Sequence, residues 1–218
     1  MVRKSSTPLI RLGAGLEIGY SQALARSEKE IALSSGTHFL LARNGRGKTT
    51  LLRTLAKTLK RLGGEFETSG FTQYLPEDLR FDAEMPVSAI FRAMLPKDAL
   101  KPALELASQI ELDTSKPYGR LSTGNRRKAG LILAEYSITP GQANILLLDE
   151  PFSGLDAYAR ETFEALWDTN RAEVLRLVSC HPDYDSMPMP SAVVIEHGHI
   201  SHLTGPDQTW SSLKARLN

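Results

Sequence analysis

A glycine-rich basic segment separates the apolar run Phe39–Ala42 from a predicted helix. It reads ARNGRGKTT from Ala42 to Thr50. Its two glycines let backbone N–H groups turn toward a polyphosphate, and the helix N-terminus adds positive potential. Lys48 supplies a cation for the phosphates, and the Thr49 hydroxyl is a suitable Mg²⁺ ligand. The segment therefore predicts a phosphate-binding loop. Its predicted nucleotide-binding residues are Asn44, Gly45, Arg46, Gly47, Lys48, Thr49 and Thr50.

Two acidic residues end the strongest buried-strand signal in the chain. Ile145–Leu148 is followed directly by Asp149 and Glu150. A carboxylate at the end of such a strand can hold Mg²⁺ through water, and a second one can polarise an attacking water molecule. Together with the phosphate loop, the pair predicts Mg²⁺-dependent hydrolysis of a nucleotide, with Glu150 and Lys48 as catalytic residues.

Two loops with characteristic spacing flank the acidic pair. Leu121–Asn125 reads LSTGN, and Ser153–Asp156 reads SGLD. In this order, after the phosphate loop and around Asp149, they resemble the signature loop and the D-loop of the nucleotide-binding subunit of ATP-binding cassette (ABC) proteins. The family's signature loop usually reads LSGGQ, so Thr123 and Asn125 depart from it. The resemblance implies ATP as the nucleotide, Mg²⁺ as the metal, and hydrolysis to ADP and phosphate.

Two single residues extend the resemblance over residues 20–181. His181, after the predicted strand Val174–Val178, matches the family's switch histidine, which senses the γ-phosphate. Tyr20 precedes Lys48 by 28 residues, as does the aromatic residue that stacks on adenine in this family. The resemblance implies a catalytic role for His181 and an adenine contact for Tyr20. A strand aromatic packed in the core is the alternative role of Tyr20.

The resemblance also implies an assembly. In this family two subunits enclose two ATP molecules head to tail, so Ser122, Gly124 and Asn125 are expected to bind the nucleotide held by the other subunit. A plain helix N-cap is the alternative role of Ser122, and the two roles are compatible. The implied partners are a second ATPase subunit, identical or different, and an integral membrane permease subunit.

The third expected metal ligand is ambiguous. Gln73 and Glu77 compete for the place of the family's glutamine that approaches Mg²⁺ and couples to the membrane partner. The run YLPE at residues 74–77 favours Glu77, and a carboxylate still provides oxygen for Mg²⁺. The predicted metal ligands are therefore Thr49, Asp149 and Glu77, with Gln73 as the alternative to Glu77.

The remaining patterns predict an α/β fold. Short strands fill the first forty residues, and buried strands then alternate with helices, which indicates a mostly parallel sheet covered on both faces. The resemblance specifies a P-loop NTPase of the ABC-ATPase type. It implies a parallel core sheet, an N-terminal antiparallel β subdomain and a small helical subdomain at about residues 78–130, within a single domain over residues 1–218.

Three local predictions concern helices. Evenly spaced leucines predict one helix from Lys48 to Leu62. Pro96 and Pro102 are expected to break the helical region 86–110 into pieces. The basic run Arg126–Lys128 is expected on a solvated face or near the nucleotide.

Composition limits the classes of function. The 218 residues contain 26 Lys and Arg against 25 Asp and Glu, a net charge of +1, so a large nucleic-acid footprint is not expected. A single cysteine, Cys180, excludes an internal disulfide framework. No apolar run approaches the roughly 18 residues of a membrane-spanning helix, and the N-terminus does not read as a secretory signal. We expect a cytoplasmic protein held at the inner face of a membrane through its partner, with no nucleic-acid partner.

Two other functions remain open from the sequence. A soluble ABC ATPase acting on nucleic acid or ribosomes usually carries paired cassettes, coiled-coil arms or basic extensions, which this chain lacks. A non-hydrolysing regulatory subunit is opposed by the intact pair Asp149 and Glu150, whereas Ala42 and Asn125 leave it possible. The short interval from Lys48 to Glu77 and the compact segment from Glu77 to Leu121 resemble those of the ATPase subunits of compact exporters, including haem-exporter-like ones. The spacing of His197, His199 and His202 permits a metal site but also fits a closing β-hairpin.

Overall fold

Strands and helices alternate along the part of the chain that the computed structural model describes, residues 7–170, 172–180, 187–215 and 217. The strands are β1 (Leu9–Leu12), β2 (Glu17–Gly19), β3 (Ala23–Ser27), β4 (Ile31–Leu33), β5 (Gly36–Ala42), β6 (Phe66–Ser69), β7 (Phe71–Leu75), β8 (Asn144–Leu148), β9 (Val174–Ser179), β10 (Ser191–Glu196) and β11 (His199–Thr204). The helices are α1 (Lys48–Leu55), α2 (Val87–Met94), α3 (Lys97–Gln109), α4 (Thr123–Tyr136), α5 (Ala157–Thr169) and α6 (Trp210–Lys214).

Two sheets carry the strands. Eight strands form one sheet in the order β2-β3-β11-β10-β5-β9-β8-β7, and β4-β1-β6 form a smaller antiparallel sheet. The four central strands β10, β5, β9 and β8 are parallel to one another. Their carboxyl ends therefore lie at the same edge of the sheet, where the phosphate loop follows β5 and the acidic pair follows β8.

Two compact units divide the described residues. The first comprises those within Met1–Tyr74, Gly141–Glu150 and Arg171–Asn218. It contains both sheets, apart from Leu75, the last residue of β7. The second comprises Leu75–Pro140 and Pro151–Asn170, and contains helices α2 to α5.

The core of the first unit explains why its central strands are continuous apolar runs. Side chains from the small sheet, from α1 and from the large sheet pack in one cluster; examples are Ile10, Leu52, Leu147 and Ile195, all essentially buried. A strand covered on both faces leaves no position for polar alternation. The same burial holds rigid the strand ends that carry the candidate site.

Helix α1 is shorter than the leucine spacing predicts. It ends at Leu55 and not at Leu62, because Lys57 adopts a left-handed conformation with φ of 60° and turns the chain away. The N–H of Lys57 donates to the carbonyl of Thr54, which closes the helix end. Leu62 is consequently 41% exposed.

Proline separates α2 from α3 but does not divide α3. Pro96 precedes the first residue of α3, as expected, whereas Pro102 lies inside the helix, so the predicted break there is wrong. A proline at this position removes only the donor to the carbonyl of Asp98. Asp98 is exposed in the first turn, where water can supply the missing hydrogen bond.

No helix in the described residues combines the length and the apolar character needed to cross a bilayer.

Candidate functional site

The phosphate loop joins β5 to α1 in the first unit. Gly45 has a φ of 74° and Gly47 a φ of 109°, conformations that side chains strongly disfavour. Gly47 is followed directly by the first residue of α1, and Asn44 to Arg46 are exposed. Ala42 is the last residue of the extended strand β5, where alanine replaces glycine without strain. The local backbone therefore has the form that the sequence predicts.

Lys48 lies buried beneath this loop. Its Nζ donates to the Ala42 carbonyl at 3.2 Å and to Oδ1 of Asn44 at 3.5 Å. It also forms an ion pair with Oε1 of Glu150 at 3.3 Å, in which both side chains are largely buried. The predicted phosphate-binding cation and the predicted water-orienting carboxylate are thus direct neighbours.

Asp149 is almost fully buried, with 1% of its surface exposed, at the end of β8. Its Oδ1 accepts hydrogen bonds from Thr49 Oγ1 at 3.2 Å and from Ser179 Oγ at 2.9 Å. Its Oδ2 accepts one from the hydroxyl of Tyr74 at 3.2 Å. A buried carboxylate beside a hydroxyl offers the hard oxygen atoms that Mg²⁺ prefers.

Glu150 occupies a conformation that is unusual for its type. Its φ is 49°, which a non-glycine residue keeps only when neighbours enforce it. Its backbone N–H donates to Ser179 Oγ at 2.7 Å, and that hydroxyl uses its proton for Asp149. Ser179 is completely buried, and its two hydrogen bonds fix both acidic residues at once.

Ser179, Tyr74 and Arg53 are absent from the sequence-based prediction of this site. Ser179 ends β9 and Tyr74 lies on β7, the two neighbours of β8 in the sheet. Burial, together with the Asp149 charge, raises the pKa of Tyr74 to about 12 despite the opposing effect of Arg53. The contact with Tyr74 raises the pKa of Arg53 in turn. A polar residue ending an apolar strand is the signal that marks Ser179.

Tyr20 lies 58% exposed in the turn between β2 and β3. This exposure excludes the alternative in which it is a packed core residue. Arg53 interacts with Tyr20 as well as with Tyr74. A cavity of about 150 Å³ lies beside the phosphate loop and includes Leu24, Arg43 and residues 195–198 in its lining.

The predicted signature loop begins α4 in the second unit. Ser122 is the N-cap, and its Oγ accepts a hydrogen bond from the N–H of Asn125 at 3.2 Å. Ser122 is exposed, so the capping role leaves it accessible. A Cβ on Gly124 would collide with the carbonyl oxygen of Gly154. Gly124 is therefore required for the close approach of the two loops that resemble the signature loop and the D-loop.

Two residues of the basic run on α4 are buried, so the expected solvated face is wrong for Arg127 and Lys128, whereas a place near the nucleotide stays a prediction. Arg127 and Lys128 are 8% and 6% exposed. Lys128 Nζ contacts Oδ2 of Asp156 at 2.7 Å and donates to the carbonyl of Ile110 at 2.8 Å. Asp156 also caps α5, and its hydrogen bond with Lys128 lowers its pKa. These charges hold the second unit together.

Glu77 lies in the second unit, with its side chain 59% exposed. Its Oε1 pairs with Nη2 of Arg127 at 3.5 Å. Gln73 lies on β7 in the first unit and is half-buried. The choice between Glu77 and Gln73 as a metal ligand stays a prediction.

The histidines singled out from the sequence lie in different parts of the chain. His181 lies outside the described residues. His197 is in the turn between β10 and β11, and His199 and His202 are on β11, as the closing hairpin predicts. His197 lies 3.5 Å from Glu196, His199 faces Glu28 at 3.1 Å and His202 bonds Ser191, so the three side chains have separate partners.

The first-unit residues suit Mg²⁺ and a polyphosphate together. The positive φ angles of Gly45 and Gly47 let backbone N–H groups of the loop face a polyphosphate. Lys48 supplies a buried cation. Thr49 and Asp149 contact each other, so a metal between them would have two oxygen ligands from different elements. This fit does not depend on any residue of the second unit.

Comparison with known proteins gives concordant results. The family model described as "ABC transporter" matches residues 31–153, more than half of the chain. An aliphatic sulfonates import ATP-binding protein of Granulibacter bethesdensis is 31% identical over 74% of this chain and 69% of its own length. A cytochrome c biogenesis ATP-binding export protein of Zymomonas mobilis is 36% identical over 52% of this chain and 51% of its own length.

The match therefore spans about half of the length of that second relative. A solved structure titled "Structure of ATP binding subunit of ABC transporter" superposes with a TM-score of 0.75. It covers 97% of this chain and 99% of the other at 18% identity, which supports the fold alone. The phosphate loop, the acidic pair and the family match agree, and the chain belongs to the ABC transporter family, among its ATP-binding proteins.

Proposed function

We propose that the protein is the ATP-binding and ATP-hydrolysing subunit of a transporter. The observation that carries this proposal is the contact of Lys48 with Glu150 and of Thr49 with Asp149 in one buried cluster. Those are the groups that hydrolysis of a nucleoside triphosphate requires.

The chain's own residues divide the work of hydrolysis. Bound Mg²⁺-ATP supplies the terminal phosphoryl group and the metal charge. Lys48 exchanges its contact with Glu150 for the phosphates, which leaves the Glu150 carboxylate available to orient and deprotonate a water molecule. Thr49 and Asp149 would hold the metal, with Glu77 or Gln73 as a further ligand. His181 is proposed to stabilise charge on the γ-phosphate, and Tyr20 to stack on adenine.

The working form is proposed to be a head-to-tail pair of subunits. Ser122, Gly124 and Asn125 form an accessible helix N-terminus, which favours a phosphate group. In the pair, this N-terminus of one subunit would contact the nucleotide held by Lys48 of the other. ATP would then stabilise the pair, and hydrolysis would weaken it.

A membrane permease is the proposed partner that gives the protein its place at a membrane. The curated relatives carry names of import and export proteins, which supports transport over action on nucleic acid or ribosomes. The second unit has a groove of about 280 Å³ that suits a partner segment. Residues that line it include Glu77, Arg80, Tyr118 and Arg127.

Replacement of Lys48 tests the assignment of the loop. We expect Lys48→Ala to bind Mg²⁺-ATP at least about tenfold more weakly, because charge-assisted hydrogen bonds to the phosphates are lost. Isothermal titration calorimetry measures the affinity. The matched control is Lys101→Ala, which removes an exposed lysine paired with Glu105 on α3 and leaves the affinity unchanged. Equal affinities of Lys48→Ala and wild type would refute the assignment.

A further inference from the structure

We propose that Tyr74 is a positioning residue of the metal site. Its hydroxyl holds Oδ2 of Asp149 and thereby sets the orientation in which the carboxylate receives Mg²⁺. The inference rests on the proposed function, since it assigns a residue to the site that would hold Mg²⁺-ATP.

The direction of the hydrogen bonds follows from the groups themselves. The guanidinium of Arg53 interacts with Tyr74 and, being a donor only, takes no proton from it. A phenol has one proton, and an ionised carboxylate only accepts. The Tyr74 proton is therefore directed to Oδ2 of Asp149, at an oxygen-to-oxygen distance of 3.2 Å.

The two oxygens of Asp149 are held by donors from different elements. Thr49 and Ser179 donate to Oδ1, and Tyr74 is the donor to Oδ2 among the residues that the structure describes. If the Tyr74 hydroxyl is removed, only Oδ1 stays fixed, and the carboxylate gains freedom to rotate. A carboxylate that must be ordered by the metal binds it more weakly.

The fold makes Tyr74 suitable for this role. It lies on β7, beside β8, which ends at Asp149. Its ring is half-buried against the hydrophobic core of the first unit, so the hydroxyl is delivered by a rigid support. Arg53 projects from α1, the helix that begins with Lys48 and Thr49. The strand that carries Tyr74 is thus a direct neighbour of the strand that ends at the proposed metal ligand.

Mn²⁺ affinity tests the proposal without relying on catalysis. The probe is Mn²⁺ with a non-hydrolysable ATP analogue, measured by electron paramagnetic resonance on the full chain. We expect Tyr74→Phe to weaken Mn²⁺ binding by roughly tenfold, the usual effect of losing a partner that orients a metal ligand. Affinity for the analogue without metal is expected to stay unchanged, which separates metal positioning from a general loss of structure.

Two comparisons make the result decisive. Tyr136→Phe removes the hydroxyl of a half-buried tyrosine on α4 in the second unit, and is expected to leave Mn²⁺ affinity unchanged. Wild-type affinity in Tyr74→Phe would overturn the inference while leaving the proposed function intact. Failure of the wild-type protein to bind Mn²⁺ with the analogue would instead overturn the proposed function.

Arg53 gives an independent variant. Arg53→Met keeps the aliphatic stem but removes the cation that interacts with Tyr74, and we expect a several-fold loss of Mn²⁺ affinity. In the Tyr74→Phe background the same change is expected to have no further effect, because Arg53 acts through the hydroxyl. Additive losses in the double variant, or no loss in Arg53→Met alone, would contradict the assigned role of Arg53.

Discussion

At the scale of single residues, one buried hydroxyl sets the conformation of the site. Ser179 accepts from the backbone N–H of Glu150 and donates to the side chain of Asp149. It thereby stabilises the left-handed backbone of Glu150, which brings that carboxylate to 3.3 Å from Lys48. Orientation of the proposed metal ligand and of the proposed base depends on the same oxygen atom.

Ser179→Ala is therefore expected to reduce the rate of ATP hydrolysis by more than its loss of stability explains. Both hydrogen bonds are lost, with an expected decrease of about 1–3 kcal/mol in the free energy of unfolding. We expect kcat to fall by at least about tenfold, because Glu150 loses its orientation. Steady-state ATPase kinetics and chemical denaturation measure the two effects.

Ser27→Ala is the matched control. Ser27 is equally buried and donates to the Lys29 carbonyl, away from the acidic pair. The Ser27→Ala variant is expected to be less stable than the wild type but to keep its kcat. If Ser179→Ala and Ser27→Ala affect kcat equally, Ser179 has no special role in the site.

At the scale of elements, a hydrogen-bonded chain joins three neighbouring strands of the large sheet. Nε2 of His38 on β5 contacts the Ser34 carbonyl at 2.8 Å, so this nitrogen carries a proton. Nδ1 of neutral His38 then accepts from the Ser191 hydroxyl at 2.7 Å. Ser191, on β10, in turn accepts from Nε2 of His202 on β11 at 2.8 Å. In this arrangement Nδ1 of His38 acts as an acceptor, so His38 is neutral, whereas His202 acts as a donor through Nε2.

This chain predicts a loss of stability in mild acid. Burial lowers the pKa of His38 and of His202 below the ordinary value of 6.5, and the neighbouring His202 further lowers that of His38. The unfolded state therefore binds more protons as the pH falls through about 6.5, and the free energy of unfolding decreases. Denaturation at about pH 7.5 and about pH 5.5 measures the decrease.

His38→Gln is expected to reduce the pH dependence between those two values, because the buried titrating group is gone. His199→Gln, which changes an exposed histidine on β11, is the control and is expected to retain it. An identical pH dependence of stability in His38→Gln and wild type would exclude His38 as its source.

Sequence patterns predict the elements better than their ends. The phosphate loop, the strand before Asp149 and helix α4 depend on local motifs, and all three are present where predicted. The end of α1 depends on a left-handed lysine, Lys57, which composition does not reveal. Pro102 is tolerated because of its position near an exposed helix start.

At the scale of the whole molecule, the contacts that were not predicted join residues distant in sequence. Tyr74, Asp149 and Ser179 meet because β7, β8 and β9 are neighbours, and strand order is not encoded in any one motif. The burial of Lys128 likewise follows from packing with Asp156 in the second unit. Motifs identify which residues carry the chemistry, and packing determines which residues support them.

At the same scale, the protein is proposed to work as two copies of the chain, or a related pair, that close around ATP. The candidate hydrolytic groups lie in the first unit, whereas Ser122 caps a helix in the second and is accessible. Glu150→Gln keeps the size of the side chain and removes the charge that orients water. Such losses commonly slow hydrolysis by about 10²-fold or more, so bound ATP should persist.

The most direct test is the mass of Glu150→Gln by light scattering at high protein concentration, with ADP and with millimolar Mg²⁺-ATP. We predict a monomer with ADP and a dimer with Mg²⁺-ATP. Adding Ser122→Arg is expected to abolish the dimer while the Lys48 site still binds ATP. The same addition of Ser108→Arg, an exposed serine on α3, is expected to leave the dimer intact. A monomer in both nucleotides, alone and with a membrane partner, would rule out the head-to-tail pair.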